Sequence, residues 1–388
     1  MYLLPRAVRS KCAKSVVLLV ADADWNYSVY NSRNGGSVLA EPGSSAAAAF
    51  FKSAAGAAQY AHRVRYVVAR YGWSSSIFGW ELWNELTNAF TPVATACQEA
   101  TSGLEWCQYN RSREDVQRWH AEQRAALRQL DLGRHMISTS FPSLTGDAVI
   151  EATMEFSTTH MYDKPDMARS LGGLAHEKVL RFDKPSFIGE CGVHPQEDDP
   201  TGISLENALW APVFRQAAGG SACWFWNYWV PHYNLYNKFA SVSKFVTESL
   251  VPWAKMDWRA ENHTRSFIPP GVIVTGMAGG RLGTPVLDQA ATVAVLFMHS
   301  ENYTWAAQNG SAPLRQIEST TLKLHGMAHG CYDVRWFSCT AGQWLGNATR
   351  LCNDSCEAGD LRLQTVSFRT NVAAVLTFRS GEENPSIR

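Results

Sequence analysis

The strongest constraint on this chain is a change of rhythm about two thirds of the way along it. Before residue 252, short apolar runs at 16–21, 77–83, 135–141, 156–161, 186–189 and 221–226 alternate with stretches of helical periodicity at 46–71, 113–130, 165–182, 205–218 and 236–250. Apolar runs of that length read as strands buried on both faces, and strands separated by helices build a parallel sheet. In such sheets the reactive groups belong just past the strands' C-terminal ends. After residue 252 the helices stop. Segments 271–276, 291–299, 319–324, 332–337, 360–368 and 372–378 alternate or run apolar between Gly, Asn and Ser turns, the pattern of an antiparallel sandwich. Pro269-Pro270-Gly271 punctuates the change. Two domains are expected, 1–257 and 258–388.

Composition narrows the function. With 388 residues, 46% of them hydrophobic and 18% charged, the chain can bury a large core. Lys plus Arg (35) balances Asp plus Glu (35), which leaves no basic field for nucleic acid. No apolar run approaches the roughly 20 residues that cross a bilayer, so no membrane span is expected. The 15 Trp suit a large core or stacking against sugar faces.

Seven Asn-X-Ser/Thr triplets begin at Asn26, Asn110, Asn262, Asn302, Asn309, Asn347 and Asn353. Chance pairing of 17 Asn with the chain's Ser and Thr gives roughly two or three. The excess favours exposure to the secretory pathway, either secretion or a lysosomal type of lumen, although residues 1–14 lack the pattern of a cleavable signal peptide. Cysteine usage agrees. Cys97 and Cys107 share one insert, and Cys331, Cys339, Cys352 and Cys356 crowd the C-terminal region, where disulfides are expected; a zinc site is the rival, without paired C-x₂-C knuckles to support it. Cys12, Cys191 and Cys223 sit in or beside apolar runs and read as buried thiols.

Two carboxylates stand at strand ends, in Trp80-Glu81-Leu82-Trp83-Asn84-Glu85 and in Phe187-Ile188-Gly189-Glu190-Cys191-Gly192. An acid just past a buried strand is costly unless it is paired or used. Glycoside hydrolysis needs such a pair, one acid to protonate the departing oxygen and one carboxylate to attack or stabilise the anomeric carbon. Caps or surface ion pairs would give the same spacing. Asn84 could hold a sugar 2-hydroxyl or simply make a turn. No phosphate loop, Ser-His-Asp order or H-E-x-x-H spacing competes, and no metal or cofactor is called for.

The segment Tyr66-Val67-Val68-Ala69-Arg70-Tyr71-Gly72, followed by Ile77-Phe78-Gly79-Trp80-Glu81-Leu82-Trp83-Asn84-Glu85, resembles the fourth-strand signature of clan A glycoside hydrolases, especially the family 5 cellulase and mannanase group. Ile188-Gly189-Glu190-Cys191-Gly192 resembles the seventh-strand motif, Thr159-His160-Met161-Tyr162 the sixth-strand His-X-Tyr, and Ala222-Cys223-Trp224-Phe225-Trp226 the eighth-strand Trp. The resemblance covers most of residues 16–250. It implies an α/β fold, a (β/α)₈ TIM-type barrel that cleaves β-mannan or β-glucan links with retention. Glu85 would be the acid/base and Glu190 the nucleophile, with Asn84 on the 2-hydroxyl, Tyr162 on the nucleophile and His160 near the acid/base. Trp226 or Trp224 would form the stacking platform. Trp25 and Asn26 resemble a cleft-lining Trp-Asn-Tyr segment, preceded by Asp24 where relatives carry His.

That family places two further βα units ahead of the Trp-Asn-Tyr segment, so the resemblance implies a barrel lacking its first two units. A carbohydrate-binding pseudoenzyme is accordingly the alternative reading. The second domain resembles the small sandwich modules that follow such barrels; its Trp305, Trp336 and Trp344 suit core packing or polysaccharide binding. A monomer acting on an oligosaccharide or polysaccharide is expected, with the Thr87-to-Asn110 insert shaping the cleft.

Overall fold

Parallel strands separated by helices build the N-terminal part of the chain. The computed structural model describes residues 15–18, 28–39, 46–90, 104–142, 146–251, 253, 256–259, 272–281, 290–353 and 359–379. They fall into two units, Met1–His160 with Phe182–Pro185, and Met161–Arg181 with Ser186–Arg388.

In the first unit, β1 (Ser15–Leu18), β2 (Ile77–Glu81) and β3 (Met136–Ser138) pair in parallel, in that order. Thr139 separates β3 from β4 (Ser140–Phe141), which pairs in parallel with β5 (Ser157–Tyr162). The four expected strand regions of this unit all form: β1 begins one residue earlier, β2 stops at Glu81, the third region splits at Thr139, and β5 is shifted one residue on, ending at Tyr162. Helices α1 (Ala46–Lys52), α2 (Ala54–Tyr71), α3 (Leu104–Leu130) and α4 (Ala148–Thr153) intervene. Ser53 caps α2 by accepting the Gly56 N–H at 3.0 Å. A Cβ on Gly56 would lie 2.9 Å from a Val38 methyl, so only a bare backbone fits there.

Helix α3 starts earlier than the expected residue 113, taking up part of the polar insert. Its buried stripe is aromatic. Trp119 packs against Tyr60 (ring centroids 4.8 Å) and edge-on to Phe51 (5.2 Å), and Phe51 lies 4.8 Å from Trp83, just past β2. Full burial of rings of this size contributes on the order of 2–3 kcal/mol each. It anchors the segment that carries the Asn84-Glu85 pair. Deeper along β2, the Trp80 indole donates to Asp131 Oδ2 at 3.1 Å, which satisfies the ring's one polar atom.

The second unit contains β6 (Ser186–Gly192), α5 (Met167–Phe182), α6 (Ile203–Trp210), α7 (Trp229–His232) and α8 (Tyr236–Glu248). Ala222 N donates to Ile188 O and Cys191 N to Ala222 O, forming a single parallel bridge between Cys191 and Cys223. The strand expected over 221–226 goes no further. Trp229 and Val230 both donate to Phe225 O, so this stretch closes local turns rather than extending a ladder.

Beyond these helices come β7 (Met256–Arg259), β8 (Val272–Arg281), β9 (Val293–Ser300), α9 (Trp305–Asn309), β10 (Thr321–Met327), β11 (Cys331–Ser338), β12 (Gln343–Trp344), β13 (Thr349–Cys352), β14 (Gly359–Gln364) and β15 (Asn371–Phe378). Among the described residues, one seven-stranded antiparallel sheet runs β12–β11–β15–β9–β8–β7, with β13 also on β11. One face packs Val295, Phe297, Phe337 and Val375 against Trp210, Phe214 and Phe245 of the helical layer. The other packs Leu296, Met298 and Leu376 against Leu322, Leu324, Leu361 and Leu363 of the separate β10–β14 pair. All eight residues of β9 are therefore buried, and its sequence runs apolar where a one-sided strand would alternate.

A buried polar knot holds the sheet to the helices. Glu206 of α6, fully buried, accepts from Lys238 Nζ of α8 at 2.7 Å, Thr340 Oγ1 at 2.7 Å, Asn371 Nδ2 at 3.1 Å and Tyr303 OH at 3.2 Å. Four donors on one carboxylate are what a desolvated charge requires. Trp336 is core, and Trp344 packs on Phe245 and Phe337 beneath the Arg335 guanidinium, 3.6 Å from its ring. Trp305 donates to Lys164 O at 2.7 Å.

Cys331 and Cys352, partners across β11 and β13, form a disulfide, and Cys107 is disulfide-bonded. Cys191, Cys223 and Cys339 are buried free thiols. Cys12, Cys97 and Cys356 lie outside the described residues, as do Trp25 and Asn26. No described helix is long and apolar enough to cross a membrane.

Candidate active site

In the first unit the chain leaves β2 through two fully buried residues, Leu82 and Trp83, and presents Asn84 and Glu85 beyond them. Leu82 N donates to Ser138 O and Ser140 N to Trp83 O, so the turn stays stitched to the neighbouring strand after the regular ladder ends. Glu85 takes a left-handed backbone, φ 46°, which costs a residue with a Cβ on the order of 1–2 kcal/mol. That conformation turns its side chain toward β5. His160 Nδ1 lies 2.9 Å from Glu85 Oε1, and Asn88 Nδ2 donates to Glu85 Oε2 at 2.8 Å. Ser140 Oγ accepts the Glu85 N–H at 2.9 Å and donates to Asn84 Oδ1 at 3.3 Å.

The histidine is buried, whereas the Glu85 side chain keeps 17% of its surface exposed. Glu85 is thus a held but reachable carboxyl. Glu81, on β2 itself, is a different case: burial raises its carboxyl above the usual range, with the nearby Glu85 charge adding to the rise and His160 and Ser140 working against it. Its Oε1 has no hydrogen-bond partner among the described residues.

In the second unit, Tyr162 at the end of β5 donates its hydroxyl to Glu190 Oε2 at 2.6 Å, a short bond of the kind made to a charged acceptor. Asp163 N donates to Gly192 O at 3.0 Å, which fixes the end of β5 beside the end of β6. Phe225 covers Gly192 so closely that a Cβ there would lie 2.4 Å from the ring. Trp224 and Trp226 are half-buried; Trp224 packs against the apolar layer that includes Trp210 and Phe225.

Asn84, Glu85 and His160 thus stand together, as do Tyr162 and Glu190. Ser140, Asn88, Asp163 and His194, which complete these clusters, carry no distinctive sequence signal: each is a common polar residue whose role depends on the partners that the fold brings to it.

No family model and no curated protein matches the chain. Among solved structures, it is similar to an endo-β-1,4-mannanase from Thermotoga petrophila at 11% identity and a TM-score of 0.41, over 91% of this chain and 79% of that one. It is also similar to a candidate glycoside hydrolase from Bacteroides vulgatus at 10% identity and a TM-score of 0.45, over 82% of this chain and 55% of that one. The chain thus spans about half the length of the Bacteroides protein. At such TM-scores neither likeness carries weight for fold or reaction.

Proposed function

We propose that the chain is a retaining glycosidase of the clan A, family 5 type, cleaving β-linked glycans of the mannan or glucan class. One observation carries the reading. His160 and Tyr162 lie two residues apart on β5, one bonded to Glu85 and the other to Glu190. Residues two apart on a strand project from the same face. A single strand face therefore carries the hydrogen-bonding partners of both acids.

In this reading Glu190, ionised and held by the Tyr162 hydroxyl, attacks the anomeric carbon. Glu85 gives its proton to the departing glycosidic oxygen as that bond breaks. Water then attacks the glycosyl ester, Glu85 takes the water's proton, and Glu190 leaves as carboxylate. Asn84, oriented by Ser140, serves the 2-hydroxyl, and Trp226 or Trp224 the sugar face. The two carboxyl groups belong about 5–5.5 Å apart in such a mechanism. The disulfide and the bonded Cys107 agree with work in an oxidising lumen or outside the cell.

A 2-deoxy-2-fluoro β-glycoside with an activated leaving group tests the proposal. Trapping of a sugar ester on Glu190, with retention seen by NMR in the hydrolysis of ordinary substrate, is expected. Hydrolysis with inversion, or an ester on any other residue, would overturn it.

A further inference from the structure

Beside the Tyr162–Glu190 pair stands an imidazole that the mechanism above does not use. His194 follows β6 by two residues, with its side chain 53% exposed. Its ring centroid lies 6.0 Å from that of Tyr162 and 4.7 Å from that of Phe225, nearly perpendicular to the latter. Asp163 fixes it from the other side. This residue, in a left-handed conformation with φ 56°, accepts the His194 backbone N–H at 2.6 Å, and both its carboxylate oxygens lie 3.2 Å from His194 Nδ1.

A carboxylate facing Nδ1 keeps the proton on that nitrogen and leaves Nε2 as an acceptor. Nε2 makes no hydrogen bond among the described residues. The result is an oriented acceptor on a ring whose centroid lies 6.0 Å from that of Tyr162, the residue that donates to Glu190. Strain at Asp163 and contact with Phe225 both go into holding this ring still, which a surface histidine of no consequence would not need.

We propose that His194 is a specificity-determining residue whose Nε2 accepts a hydrogen bond from a hydroxyl of the sugar that becomes bound to Glu190. This rests on the glycosidase reading. Asp163 is its positioning residue. Substrates that present a hydroxyl toward Nε2 are favoured over epimers that turn it away, so the residue contributes to the choice between mannose-type and glucose-type rings.

The test uses the full chain with aryl β-mannosides, aryl β-glucosides and a series of singly deoxygenated glycones. H194F keeps the aromatic contact with Phe225 and removes the acceptor; H194Q restores an acceptor at similar reach. For the preferred substrate, H194F is expected to lose about 3- to 10-fold in kcat/KM, the range of one neutral hydrogen bond, more through KM than through kcat. H194Q is expected to recover most of that loss and D163N to fall between, all with thermal midpoints close to that of the wild-type protein. One deoxygenated substrate should abolish the difference between H194F and wild type, and so identify the hydroxyl. H194F within twofold of wild type on every substrate, or an equal loss on every deoxygenated one, overturns the assignment while leaving the glycosidase reading standing. A wild-type chain that hydrolyses nothing and is not labelled at Glu190 sinks both.

Discussion

Ser140 Oγ accepts the backbone N–H of Glu85 at 2.9 Å and reaches Asn84 Oδ1 at 3.3 Å, so one hydroxyl at the start of β4 sets both residues beyond β2. The bond offsets part of the cost of Glu85's left-handed backbone. Removing it frees the carboxyl to swing and leaves a partly buried N–H unmet.

The S140A variant is therefore expected to lose about 1–2 kcal/mol of stability and about 10- to 100-fold in kcat, whereas S140T keeps most of both. Urea unfolding and steady-state kinetics on one preparation of each variant check the two effects together.

If Glu85 supplies the proton to the departing oxygen, E85A should lose about 10²–10⁴-fold on substrates with poor leaving groups. It should lose far less on a dinitrophenyl glycoside, whose leaving group needs no proton, and azide should restore turnover. Equal losses across leaving groups would remove Glu85 from that role.

His120, inside α3, is pushed down to about 4 by burial, against an ordinary value of 6.5. Its Nδ1 lies 2.8 Å from Val116 O and its Nε2 3.1 Å from Thr139 Oγ1, contacts that suit the neutral ring. The denatured chain takes up this proton first as pH falls. The contribution is thus whole above pH 6.5 and declines toward pH 4, by on the order of 3 kcal/mol. Urea midpoints between pH 7 and 4 should fall more steeply for the wild type than for H120Q.

Glu206 and Lys238 form a buried pair whose separation leaves a charge without its partner. E206A is expected to cost about 3–5 kcal/mol, and K238M nearly as much. The E206A/K238M double variant should lose clearly less than the two single changes summed, which a denaturation cycle measures directly.

Much of the candidate site was legible because its polar residues sit where patterning breaks. The run through Ile77 to Trp83 is apolar until Asn84 and Glu85, and the alternation of His160 and Tyr162 on β5 puts two polar groups on one face. Ser140 and Asp163 were not legible, since their importance lies in a backbone N–H or an imidazole that only the folded chain brings near. The expected strand at 221–226 shrank to a bridge because Phe225 O is taken up by local turns. The helix over 104–112 was hidden by its polar composition, which cannot be told from a loop without the stripe that α3 shares with Phe51 and Tyr60.

The seven-stranded sheet has an apolar side that is dry only because Trp210, Phe214 and Phe245 lie on it. A fragment beginning at residue 258 would strip away that cover and bare Val295, Phe297, Phe337 and Val375 to water as one continuous patch. Such a piece would self-associate rather than behave as a portable module, and any sugar-binding assay made on it would report stickiness instead of recognition.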